Sequence, residues 1–69
     1  MDEFNLDGRD YIELNKLLKI KKLVSTGGEA HMMIDDGQVM VNDVVEKRRR
    51  NKLRAGDIVS FGDHRINIK

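Results

Sequence analysis

Apolar residues in the first third of the chain recur at the spacing of an amphipathic helix. Asp10 and Glu13 lie three residues apart and form a capping-box pattern at the start of this stretch. The spacing therefore predicts a first helix over about Asp10 to Lys19. The residues on its apolar face are Tyr11, Leu14, Leu17 and Leu18.

A second helical pattern follows a short basic connection. Thr26 and Glu29 repeat the capping-box spacing, and Gly37 stands where a helix-terminating glycine is expected. These signals predict a second helix from about Thr26 to Asp36. Its apolar positions are Ala30, Met33 and Ile34.

Polar and apolar residues alternate on either side of the two helices, as they do in strands that bury one face. Asn42-Asp43 tolerates positive φ and is typical of a tight hairpin turn. The order strand, helix, helix and about four strands is an α+β pattern. It predicts two helices packed on a small, mostly antiparallel sheet, preceded by a short N-terminal strand. The stretches that predict strands are EFNL, QVMVN, VVEKR, IVSF and RINIK.

The length of 69 residues fits one domain over residues 1–69 with a small hydrophobic core. The chain has no cysteine, which excludes disulfides and thiolate metal sites and is compatible with a reducing compartment. No stretch approaches the roughly 18 apolar residues of a membrane span, and the acidic N-terminus lacks the apolar run of a signal peptide. We therefore expect a cytoplasmic protein, and we expect it to be a monomer.

The formal net charge of +1 hides a strong asymmetry along the chain. Residues 1–46 contain five bases and ten acids, whereas residues 47–54, which we call the basic segment, contain six bases and no acid. Such a local positive field attracts polyanions at one site. The simpler alternative is a solvated loop that keeps the protein soluble. The six bases are Lys47, Arg48, Arg49, Arg50, Lys52 and Arg54.

Alternation within the basic segment predicts the directions of its side chains. Arg49 would point away from its neighbours, so we expect a bend near residues 49–51, and we expect Leu53 to anchor the segment in the core. Arginine dominates the segment, and its planar fork suits phosphate. In an extended chain, one face would carry at about 7 Å spacing Arg48, Arg50, Lys52 and Arg54.

The start of the second helix is another candidate site for an anion. The first amide groups of a helix have no internal partners and lie at the positive end of its dipole, and Gly27 and Gly28 leave that position open. Glu29 favours the simpler alternative of a capping box alone, because its carboxylate adds negative charge at the same end. The other candidates near this helix start are Ser25, Thr26, Lys21 and Lys22.

No set of residues indicates catalysis or metal binding. His31 and His64 are the only histidines, and no further ligands stand at metal spacing. Nucleotide-binding glycine motifs and triad contexts are also missing. We therefore expect a non-enzymatic protein with no cofactor and no small-molecule substrate. His31 lies one residue off the apolar face, so we expect it to be half-exposed and able to contact a base or a phosphate. The low aromatic content argues against a base-stacking platform.

Residues 11–61 resemble the RNA-binding domain first described in ribosomal protein S-four, and most of all the small stand-alone bacterial proteins of the YbcJ and YaaA type. The shared marks are a leucine-rich helix, a short basic connection, a second helix followed by glycine, a V-x-V-N stretch and a final G-D-x-V. They appear here as Leu14, Leu17 and Leu18, then Ala30, Ile34 and Gly37, then Val39, Val41 and Asn42, and finally Gly56, Asp57 and Val59.

This resemblance implies the αL motif, in which two helices pack against a small sheet. It also implies a structured RNA partner, ribosomal or tRNA-like, held through its backbone phosphates. The family often begins its second helix with R-x-S-x-A, whereas this sequence has Thr26-Gly27-Gly28-Glu29-Ala30. We therefore expect more of the affinity to come from the basic segment.

Two other functions stay open at this point. One is a protein–protein adaptor that meets an acidic partner or the protein face of the ribosome. The other is DNA binding through the two helices, which is the weaker alternative because neither helix is basic enough to enter a major groove.

Overall fold

The computed structural model describes residues 2–69, which contain two helices and seven short strands. The helices are α1 (Leu14–Ile20) and α2 (Gly27–Asp35). The strands are β1 (Asp2–Phe4), β2 (Ile12–Glu13), β3 (Val39–Val41), β4 (Val44–Val45), β5 (Lys52–Leu53), β6 (Ile58–Phe61) and β7 (His64–Ile68). One five-stranded sheet has the order β1-β7-β6-β3-β4, and β2 pairs with β5 in a separate ribbon.

The five-stranded sheet is antiparallel except at one edge, where β1 pairs with β7 in parallel. Asn42 and Asp43 have φ of 52° and 67°, as a two-residue hairpin turn with left-handed residues requires. The predicted hairpin is therefore confirmed. The predicted α+β fold, with an N-terminal strand before two helices and a mostly antiparallel sheet, is confirmed as well.

Both helices, the sheet and the ribbon contribute to one hydrophobic core. No polar or charged residue is buried among residues 2–69, so this core is held by apolar burial. Neither α1 nor α2, the helices of the described chain, is long and apolar enough to cross a membrane. The fully buried large side chains are Leu14, Leu17, Leu18, Ile34, Val39, Leu53, Val59, Ile66 and Ile68.

Helix α2 begins and ends within a residue of the predicted bounds. The Thr26 hydroxyl accepts a hydrogen bond from the Glu29 amide at 3.1 Å, and the Glu29 carboxylate accepts one from the Ser25 amide at 2.6 Å. At the other end Gly37 has φ of 79° and donates its amide to the Ile34 carbonyl at 3.1 Å. Both predicted end signals are confirmed, because each is made by residues close in the sequence.

Helix α1 corrects the prediction of a helix from Asp10 to Lys19. It starts four residues later, at Leu14, and the Glu13 side chain makes no capping hydrogen bond. Residues 12 and 13 are instead a strand, in which Ile12 pairs with Leu53. The Asp10–Glu13 capping box was wrong because pairing with a distant strand overrode the local pattern.

The beginning of α1 is completed by the basic segment. The amides of Leu14 and Asn15 donate to the carbonyls of Asn51 and Arg49, each at 3.0 Å. These groups satisfy two of the helix's unpaired N-terminal donors without a local capping residue. Tyr11, which the helical spacing placed on the apolar face, lies outside the helix and is 38% exposed.

Candidate nucleic-acid interface

The basic segment bends and then joins the core, as predicted. The amide of Asn51 donates to the carbonyl of Arg48 at 3.1 Å, which closes a turn over Arg49 and Arg50. Leu53 in β5 is fully buried, and this confirms its predicted role as an anchor. The turn interrupts the alternation, so residues 48 to 54 do not present the single face that a fully extended chain would have.

Two of the six bases are paired with carboxylates. Arg48 donates through Nε and Nη2 to Glu46 at 2.9 and 3.0 Å, and Arg49 donates through Nε to Asp35 at 3.0 Å and through Nη2 to the second oxygen. These hydrogen bonds hold the pKa of Glu46 and the pKa of Asp35 below their ordinary values. Both pairs are bidentate, so part of the segment's charge is already neutralised.

The other four bases keep their charge available. Lys47, Arg50, Lys52 and Arg54 are exposed, and among residues 2–69 no carboxylate lies within 4.0 Å of their charged groups. An open groove of about 410 Å³ is lined by Arg48, Arg50, Asn51 and Lys52. The bend thus produces a cationic concavity rather than a straight row of charges.

Tyr11 lies beside Lys52, one of the residues that line this concavity. The Lys52 ammonium lies 5.0 Å from the centre of the tyrosine ring, and the Arg54 guanidinium carbon lies 5.6 Å from it. Both distances are within cation–π range. The Arg54 side chain also donates to the Asp10 carbonyl at 3.4 Å. This contact could not be predicted from the sequence, because helical spacing with Leu14 places Tyr11 on the apolar face of the predicted first helix.

One stripe of α2 connects the two predicted halves of the site. Gly27, His31 and Asp35 are four residues apart and therefore lie on one side of the helix. His31 is half-buried, as predicted, and its Nε2 lies 3.2 Å from Nδ2 of Asn15 in α1. The Lys19 ammonium lies 3.9 Å from the point where a Cβ on Gly27 would stand. Lys19 was not among the predicted residues.

The basic segment meets the last turn of α2 rather than its first. Arg49 pairs with Asp35, which lies eight positions after Gly27, a distance of about 12 Å along the helix. This ion pair therefore joins the segment to the end of α2 opposite its glycine-started end. The stripe through His31 runs between the two ends, and Lys19 supplies the positive charge near Gly27.

The other residues predicted near the start of α2 either hold the backbone in place or are exposed. The Thr26 hydroxyl and the Ser25 amide belong to the α2 cap, while Gly28 is exposed. Lys21 contacts β1, with Nζ at 3.6 Å from the Asp2 carboxylate and 3.2 Å from the Glu3 carbonyl. Lys22 is exposed at the end of α1. Within residues 2–69 no cluster of three His, Cys, Asp or Glu is placed to hold a metal ion.

Comparison with known proteins identifies the family. The profile of the S4 domain matches residues 4–69. The chain belongs to the S4 domain family. This confirms the resemblance drawn from residues 11–61, and the match extends to the N-terminal strand and the last hairpin.

Individual S4 domain relatives support the same assignment. YbcJ of Escherichia coli K12, a candidate RNA-binding protein, is 38% identical over 68 residues, which cover 99% of this chain and 97% of YbcJ. RlbA of Bacillus subtilis 168, a candidate ribosome maturation protein, is 33% identical over 60 residues, which cover 83% of this chain and 84% of RlbA.

The fold is also shared with a solved structure. The solution structure of YbcJ from E. coli, described as an αL motif involved in RNA binding, matches with a TM-score of 0.74 over 99% of this chain and 86% of YbcJ, at 38% identity. The predicted αL fold is therefore confirmed. In agreement with the expectation of a non-enzymatic protein, the S4 domain relatives are described by RNA binding or ribosome maturation and not by a reaction.

Proposed function

We propose that this S4 domain protein binds structured RNA, ribosomal or tRNA-like, through its backbone phosphates and without catalysis. The observation that carries the proposal is that four bases of the bent basic segment, Lys47, Arg50, Lys52 and Arg54, have no carboxylate partner among the described residues. Two of them, Arg50 and Lys52, line the cationic concavity. The RNA-binding description of YbcJ supports the same partner class. Such a partner agrees with a cytoplasmic protein, and we keep the monomer as a prediction.

The contacts divide into two groups by their existing partners. The four unpaired bases engage phosphate directly, because no internal ion pair has to break first. Arg48 and Arg49 contribute less, since phosphate must compete with Glu46 and Asp35 for the same guanidinium forks. The basic segment therefore supplies most of the affinity.

The helical stripe forms the second part of the proposed surface. His31 and the amides at Gly27 and Gly28 extend it along α2 for about 12 Å, and Lys19 adds a charge at the end. Ser25 and Thr26 hold the helix start in place, and Lys22 lies at the edge. Lys21 is assigned a structural role because it is paired with β1.

Phosphate contacts favour folded RNA over a base-specific mode. In A-form helices the deep major groove hides the base edges, so proteins recognise the regular phosphate spacing and the shape of the duplex. Contacts of this kind orient a protein but carry little sequence information. We therefore expect weak sequence specificity.

The direct test compares two double variants of equal charge. Lys47→Gln/Arg50→Gln removes two proposed contacts, whereas Arg65→Gln/Lys69→Gln removes two charges on and beside β7. Binding to an RNA hairpin of about 16 base pairs is measured across a salt titration. We expect the first variant to reduce the slope of log affinity against log salt by about 1.8, because each lost phosphate contact removes about 0.9. The control should leave the slope nearly unchanged.

Two results of this titration count against the proposal. Equal effects of both variants would mean that net charge, not the concavity, controls binding. A wild-type affinity that does not change with salt would exclude phosphate recognition altogether.

The similarity to RlbA, a candidate ribosome maturation protein, supports the ribosome as the source of the bound RNA. A ribosomal partner is equally compatible with the alternative function, an adaptor that contacts ribosomal protein. The two are separated by treating the ribosome-bound protein with nuclease. Release together with RNA fragments supports direct RNA binding. Retention on stripped ribosomal protein supports an adaptor that contacts an acidic protein face.

A further inference from the structure

We propose that Tyr11, Lys52 and Arg54 form a subsite for one unpaired nucleotide at the edge of the bound RNA. The base stacks on the Tyr11 ring, and the phosphate of the same nucleotide is held by Lys52 and Arg54. This inference rests on the proposed RNA binding and specifies the RNA feature that the surface prefers.

The β2–β5 ribbon creates the subsite through its register. Ile12 and Leu53 are directly paired and buried, so their neighbours along each strand point outward. Continuing the register by one residue sets Tyr11 opposite Arg54, and Lys52 lies diagonally across. The aromatic ring and the two cations are thus presented together on the outer face of a ribbon whose inner face is fixed in the core.

The ring holds the two cations without neutralising them. Arg48 and Arg49 are ordered by carboxylates, which consume their charge. Lys52 and Arg54 lie 5.0 and 5.6 Å from the centre of a neutral ring. A cation–π contact at an exposed site orders a side chain but is weak, so little is lost when it breaks. Phosphate can therefore take both cations while the ring face is freed for a base.

The exposure of Tyr11 indicates that the ring is accessible. It is 38% exposed, whereas the two other aromatic residues, Phe4 and Phe61, pack against the core. Bases within an A-form helix are stacked on each other and closed to a side chain, so Tyr11 can reach only an unpaired base in a bulge, a loop or an end. Because every base has a π-face, the subsite selects the unpaired state more than the base identity.

The experiment compares a blunt two-stranded RNA duplex, which has no loop, with the same duplex carrying one bulged nucleotide, against wild type, Tyr11→Phe and Tyr11→Leu. We expect the unpaired nucleotide to raise wild-type affinity about 5- to 150-fold, the range of one base–aromatic stack. Tyr11→Phe should keep this gain, because the ring is retained. Tyr11→Leu should lose it, so that this variant binds the bulged and the blunt duplex with equal affinity.

A matched control and a direct readout accompany the affinities. Phe4 carries a similar cation–π contact with Arg9 at 5.5 Å in a different part of the fold, and Phe4→Leu should leave the gain intact. Tyr11 is the only tyrosine and the chain has no tryptophan, so protein fluorescence reports on this ring alone. Stacking should quench it with the bulged duplex and not with the blunt duplex. Thermal unfolding of each variant establishes that it is folded.

The outcomes separate this inference from the proposed function. Tight binding of both duplexes by the wild type with equal affinity and no quenching overturns the nucleotide subsite and leaves phosphate recognition standing. A gain that survives in Tyr11→Leu also overturns it. Failure to bind either duplex overturns the proposed function and the subsite with it.

Discussion

Lys22 occupies a backbone conformation that usually belongs to glycine. It follows the end of α1 with φ of 59°, and its amide donates to the Lys19 carbonyl at 3.0 Å while the next amide, of Leu23, donates to Leu18. This is the same helix ending that Gly37 makes after α2. A side chain with a Cβ is disfavoured in the left-handed region, so Lys22 carries a local cost.

Replacing this residue should therefore stabilise the protein. We expect Lys22→Gly to raise the free energy of unfolding by about 0.5–1 kcal/mol, the relief of left-handed strain less the greater unfolded freedom of glycine. Urea denaturation with a constant m-value measures it. Lys22→Ala, which keeps the Cβ, is the control and should show no such gain. A gain of equal size in both variants would locate the effect in the lost charge instead.

The partners and the exposure of individual side chains could be predicted only in part from the sequence. The clustering of six bases is visible in the sequence, but the partners of Arg48 and Arg49 are not. Asp35 is 14 residues from Arg49, and nothing in the local pattern connects them. Tyr11 has helical spacing with Leu14, and only the paired strand reveals that it is exposed.

At the scale of elements, the two helices show why one prediction succeeded and the other failed. The ends of α2 depend on Thr26, Glu29 and Gly37, which act within a few residues. The start of α1 depends on carbonyls of Arg49 and Asn51, about 35 residues away. A pattern search finds the first kind of signal and cannot find the second.

Two ion pairs, Arg49 with Asp35 in α2 and Arg48 with Glu46, should make the free energy of unfolding depend on pH in the acidic range. The pKa of Glu46 lies below its ordinary 4.5 and that of Asp35 below 3.8, each because of the hydrogen bond from its arginine. A carboxyl whose folded pKa is lowered contributes stability above its unfolded pKa and loses it as pH falls through the folded pKa. We expect the contribution of both pairs to be constant above about pH 5 and to decline below 4.5.

Thermal unfolding against pH checks this expectation. Glu46→Gln should lower Tm at pH 7 and reduce the fall of Tm below pH 4.5. Arg48→Gln should change the profile in the same direction but less, because the backbone amide of residue 48 still donates to the Glu46 carboxylate. A pH profile of Glu46→Gln identical to that of wild type would show that the pair does not contribute.

At the scale of the whole molecule, charge is distributed so that a nearly neutral protein presents one cationic surface. Residues 1–46 carry ten acids against five bases, and two of those acids pair with arginines of the basic segment. This lowers the number of bases available to RNA from six to four. The salt dependence of binding reports that number directly.

We expect wild-type affinity for the RNA hairpin to fall about 150-fold between 50 and 200 mM salt, the value for four phosphates at a slope of about 0.9 each. Six phosphates would give a fall of more than about 1,000-fold. The double variant Asp35→Asn/Glu46→Gln should approach that larger value, because it releases both arginines. A wild-type slope that already corresponds to six contacts would mean that phosphate displaces the carboxylates.

Four features could be predicted from the amino-acid order alone: the fold class, the ends of α2, the hairpin turn at Asn42-Asp43 and the position of the basic segment. Each of these depends on local backbone preference, on short-range hydrogen bonds or on the period of apolar residues. The start of α1, the choice of neutralised arginines and the position of Tyr11 beside Lys52 and Arg54 instead follow from contacts made in the folded protein. These features require distant parts of the chain to meet, and their energies come from contacts that do not exist until it has folded.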